Sequence, residues 1–68
     1  MNPDAAELSS LMTVVTDVAV RVAEVARRRE DESDDASAGR LQEIERSLVT
    51  AARRMQAVIR DLDESPDG

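Results

Sequence analysis

The sequence contains no cysteine, no histidine and no aromatic residue. Without cysteine no disulfide can staple the chain, and without either cysteine or histidine a structural zinc site loses its usual ligands. The missing aromatics leave any core to valine, leucine, isoleucine, methionine and alanine, which are side chains suited to layered helix packing. Lysine is absent too, so the nine positive charges are all arginine, a bias that fits a GC-rich bacterial genome. With no histidine, cysteine, lysine or tyrosine, the usual general bases and activated nucleophiles are missing, and the serine and threonine hydroxyls have nothing to activate them. The expectation is a chain that is not an enzyme and takes no cofactor or metal.

Long apolar runs are missing as well. No stretch approaches the roughly 18 residues needed to span a bilayer, and none has the positive-then-apolar pattern of a signal peptide. A cytoplasmic protein without membrane partners is expected. The net charge of −6 disfavours nonspecific attachment to nucleic acid or to anionic lipid, although a local basic stripe can still act. Sixty-eight residues rarely build a sufficient core alone. With disulfides and zinc set aside, self-association remains as the means of completing one.

What the sequence does have is helical periodicity. Leu41, Ile44, Leu48, Ala51, Met55, Val58 and Leu62 alternate spacings of three and four, as a heptad seam does. Leu8, Leu11, Val15, Val18, Val22 and Val25 repeat the alternation upstream. Paired antiparallel, the stripes give couples whose residue numbers sum to 66, from Val25 with Leu41 to Leu8 with Val58, so every layer closes about a turn centred near Ser33. The predicted architecture is an all-α, two-helix antiparallel hairpin of coiled-coil type, one domain over 1–68. Its first helix is expected at about 3–29, its second at about 36–64, and an acidic tail at 65–68.

Local signals agree with these limits. Asn2 can cap the first helix, Pro3 suits its first position, and Asp4 and Glu7 favour its positive end. Asp17 with Arg21 and Glu24 with Arg28 are spaced for ion pairs along one helix face. Ser65-Pro66 is expected to stop the second helix. Between the helices, Asp31, Ser33, Asp35, Ser37 and Gly39 alternate as the first ligands of an EF-hand calcium loop do. Ala36 then stands where that loop requires glycine and Gln42 where it requires glutamate, so the block reads as a charged turn.

Met12, Ala19 and Ala26 widen the apolar face of the first helix, and Ala52 and Ile59 that of the second. Faces this broad predict a homodimer forming a four-helix bundle. Two further groups are candidate partner-binding residues. Arg46, Arg53 and Arg60, seven apart with Arg54 beside them, form a ridge on the second helix; Val14 and Val20 lie off the main stripe of the first. The functional expectation is a small protein-interaction module: a homodimeric hairpin acting as adaptor, regulator or small subunit of a bacterial assembly. The alternatives are a regulator that binds RNA or DNA through the arginine ridge, and an acidic inhibitor that mimics nucleic acid.

Overall fold

The computed structural model describes residues 2–64; the expected tail and the Ser65-Pro66 stop lie outside the described residues. Two helices, α1 (Pro3–Asp31) and α2 (Asp35–Glu64), pack antiparallel as an all-α hairpin, and the described residues contain no strand. The long axis extends 53 Å.

Each end of α1 has a local cause. The Asn2 side chain accepts from the backbone N–H of Asp4 at 2.9 Å and of Ala5 at 3.1 Å, and Pro3 follows at the first helical position, so α1 begins where the sequence places it. At its other end Ser33 takes a left-handed backbone with φ 62°. Its N–H donates to the Glu30 carbonyl at 2.9 Å, and the Asp34 N–H donates to the Arg29 carbonyl at 2.7 Å. These paired bonds are a Schellman cap, usually built on glycine, and here they close α1 two residues later than expected. Asp34 then caps α2: its carboxylate accepts from the Ser37 N–H at 3.2 Å and its carbonyl from the Ala38 N–H at 3.1 Å. Arg29 reaches the Glu32 carboxylate at 2.7 Å and that of Asp34 at 3.8 Å. Residues 35–42 are wound into α2, so the calcium-loop alternation never forms a loop.

The contact between the helices differs from the seam read off the large aliphatic residues. One continuous row of buried and half-buried positions on α1 is Ala5, Leu8, Met12, Val15, Ala19, Val22, Ala26 and Arg29. The corresponding row on α2 is Ala38, Leu41, Glu45, Leu48, Ala52, Met55, Ile59 and Leu62. Both rows alternate three and four, and opposed antiparallel their numbers sum to 67, one more than expected. Among the described residues, the fully buried ones are four alanines, Ala5, Ala19, Ala26 and Ala38. Leu11, Val18, Ile44, Ala51 and Val58, assigned to the seam by their size, are instead exposed, and Val25 is half-buried. Small side chains between the helices let the backbones approach, and that approach turns the larger residues out to a flank.

Asp34 makes the fold sensitive to acid. Hydrogen bonds from the Ser37 backbone N–H and hydroxyl, with the Arg29 guanidinium adding attraction, hold its carboxyl below the ordinary carboxylate value. A group whose folded value is lowered stabilises the fold fully above its unfolded value, and that contribution disappears as pH falls through the folded value. Asp34→Asn keeps a capping side chain without the charge, so its melting temperature should fall less between pH 7 and the acid side of the carboxylate range than that of the parent chain. A thermal melt series over pH, followed by circular dichroism, checks this; equal losses would detach Asp34 from the effect.

Gly39 provides a second test. It lies exposed within α2, and a Cβ added there meets nothing within 4 Å. Gly39→Ala should therefore stabilise the hairpin by about 0.5–1 kcal/mol, read as a higher denaturant midpoint at unchanged slope.

Candidate interaction surfaces

Because the helices run antiparallel, the inner rows are flanked by two faces of different character. On the first, Leu11, Val18 and Val25 of α1 lie beside Ile44, Ala51 and Val58 of α2. Between these two lines sit the half-buried Leu8, Val15, Val22, Leu41, Leu48, Met55 and Leu62. Leu11 is 46% exposed and Ile44 48%. Singly, such exposure is ordinary for a surface aliphatic. Here it is continuous, and from Leu8 to Val25 and from Leu41 to Leu62 neither line contains a charge. Every residue of the stripes first taken as the seam lies on this face. Val14, 57% exposed, borders it on α1, and Arg54 borders it on α2.

The second face is mixed. Met12, Thr16, Ala19, Val20, Glu45, Val49, Ala52, Arg53 and Gln56 line an open groove of about 310 Å³. The Thr16 hydroxyl donates to the Met12 carbonyl at 2.9 Å, so the groove wall offers no free hydroxyl proton there. Toward the turn, the Gln42 side-chain amide donates to the Glu30 carboxylate at 2.8 Å and ties the two helices together across this face. Met12, Ala52 and Ile59, expected to widen the apolar faces beside the seam, belong to the inner rows beneath this face. Val20, with Val49, supplies the groove's exposed aliphatic surface.

Arg46, Arg53 and Arg60 are all exposed and follow the outer edge of this second face, with Arg53 reaching the groove. The ridge is therefore opposite the apolar face but only to one side of the true inner row. Among the described residues, the ion pairs are Asp17 with Arg21 at 3.2 Å and those of Arg29 with Glu32 and Asp34. The expected pair of Glu24 with Arg28 is not among them, and neither is any pair of a ridge arginine.

Sequence reasoning passed over Glu45 and the alanines Ala5 and Ala38. Glu45 holds an inner-row position although it is charged, and its neighbours Ala23 and Ala26 across the hairpin are small. The available signal was alanine recurring at multiples of seven, at 5, 19 and 26 and again at 38 and 52. No group of three or more acidic side chains is arranged to hold a metal ion among the described residues. None of the described helices is long and apolar enough to cross a membrane. Comparisons with protein-family models, with curated proteins and with solved structures found no match to this chain.

The first face generates a direct test. If burial of this face by association stabilises the fold, the melting temperature must rise with protein concentration. Val18→Glu with Ile44→Glu places charges at two exposed, uncrowded positions, so strain within the hairpin is not introduced. The double variant should lose the concentration dependence and melt lower than the parent wherever the parent is associated. A parent melting temperature that is flat over a hundredfold dilution would refute the dependence on association.

Proposed function

We propose that this chain is a small non-enzymatic protein-interaction module, a homodimeric helical hairpin serving as adaptor, regulator or small subunit of a bacterial assembly in the cytoplasm. The observation that carries the reading is the uncharged face of Leu11, Val18, Val25, Ile44, Ala51 and Val58 on a hairpin whose fully buried residues are alanines alone. A hairpin with so small an interior gains most by burying that face against protein. Two hairpins joined through it make a four-helix bundle. The second face, with its groove and Val20, then points outward from each hairpin and is available to another protein.

Sedimentation equilibrium tests the first step. At concentrations on the order of tens of micromolar, the range in which moderate protein affinities are read, the mass should be twice the 7.4 kDa of the chain. A cooperatively folded monomer would overturn it.

A second reading, recognition of RNA or DNA, is favoured by one observation: Arg46, Arg53 and Arg60 stand exposed along a single edge of α2, without ion pairs among the described residues. Guanidinium groups so aligned can grip successive phosphates. The readings separate by substitution. Replacing all three arginines by glutamine should change stability by less than about 0.5 kcal/mol, as exposed substitutions do. Under the protein-interaction reading the triple variant still captures its partner from a lysate, whereas Val14→Glu with Val20→Glu does not. If phosphates are the target, the triple variant loses affinity instead, and the slope of log affinity against log salt becomes shallower by about one unit per lost contact.

A further inference from the structure

We propose that a second copy of this chain covers the uncharged face with its turn at the opposite end, α1 lying antiparallel on the partner copy's α1 and α2 on its α2, and that charges on the rim select this orientation. The inference rests on reading that face as the self-association surface.

Size favours a copy of the same length. The hairpin extends 53 by 14 Å, so two hairpins laid together over their whole length share a footprint of roughly 740 Å² on each copy, the order of a standard interface. A second hairpin is also as long as the face and carries the same surface, uncharged from Leu8 to Val25 and from Leu41 to Leu62, with Asp4 at its α1 end.

Two-fold symmetry allows two ways of laying one hairpin on the other. With turns at the same end, each α1 lies on the other copy's α2 at the same height. With turns at opposite ends, each helix lies on its own counterpart, reversed. The two inner rows, Ala5 to Arg29 and Ala38 to Leu62, are centred on residues 17 and 50. Glu7, ten residues before the first centre, then faces Arg28, eleven residues after it; Arg40 and Asp61 stand in the same relation about the second centre. All four side chains are exposed on the outer edges of the face, and none is in an ion pair among the described residues. Opposite-end packing joins each acid to a base, and symmetry repeats both pairs. Same-end packing sets Glu7 against Asp61 and Arg28 against Arg40, like charge against like at both ends. Val14, Arg21, Ser47 and Arg54, at the remaining edge positions, make no like pair either way, so among the edge charges Glu7, Arg28, Arg40 and Asp61 distinguish the two orientations.

Two measurements on the full chain test the arrangement. Ala36 is exposed near the start of α2, and the chain has no native cysteine, so Ala36→Cys takes a single nitroxide label. Residue 36 is fourteen residues from the centre of its row, and at the helical rise the two labels of an opposite-end dimer should lie about 45 Å apart, against less than about 30 Å for turns together. Pulsed electron spin resonance resolves these distances. Arg28→Glu should weaken the dimer about tenfold, and adding Glu7→Arg should restore it to within about threefold of the parent. Under same-end packing, Arg28→Glu tightens the dimer instead. A short label distance, or tightening by Arg28→Glu, overturns the orientation and leaves the self-association reading standing. A monomer in sedimentation overturns both.

Discussion

The structure depends on how closely two helices can approach when alanine lies between them. Ala5, Ala19 and Ala26 on α1 and Ala38 on α2 are the fully buried residues, and a methyl group on each fixes how near the backbones come. A larger side chain at these places would hold the axes apart, because close-packed interiors register even one added methylene. Near contact has a cost in area, since alanine buries little apolar surface. The hairpin thus buries its smallest side chains most completely and leaves Leu11, Val18, Ile44 and Val58 beside them, exposed.

That choice is enforced locally by the turn. Residues 32–34 are all that separates the helices, and their backbone bonds are committed: Ser33 to Glu30, Asp34 to Arg29, Ala38 to Asp34. A connection this short leaves little freedom for either helix to rotate about its own axis. Its geometry therefore selects which of two possible stripes on each helix meets the other. Arg29 links this turn to the inner row, since it occupies the last inner position of α1 and pairs with both Glu32 and Asp34.

The helices, the turn and the antiparallel pairing were legible in the sequence because capping residues and three-four periodicity are local signals. The rotation of the helices was not. Leu8, Val15 and Val22 belong equally to the stripe with Leu11 and Val18 and to the stripe with Met12, Ala19 and Ala26, and both stripes have the same period. Periodicity cannot choose between them, and hydrophobic size chooses the wrong one as the inner contact, because size measures the gain from burial and not the distance of approach. Glu45 was passed over because charge gives no signal for an inner position, yet it holds one beside the small side chains of Ala23 and Ala26. The candidate surfaces were legible in part. Val20 and the arginine ridge were named, but their sharing of one face, with the groove between the helices, depends on the rotation.

The segregation of charge then becomes intelligible as a consequence of the alanine contact. With fifteen acidic and nine basic residues in a chain of 68, charges falling at random would interrupt any long helical face. The face of Leu11, Val18, Ile44 and Val58 is uninterrupted, while the opposite face has Glu30, Glu45 and Asp63. A net charge of −6 on each copy opposes association at long range, which keeps free hairpins apart. Any attraction must therefore act at contact, through apolar burial and short-range pairing on the rim. Contact of that kind is favoured where both surfaces are uncharged and matched in extent, and a second copy of the same hairpin would meet both conditions over Leu8 to Val25 and Leu41 to Leu62.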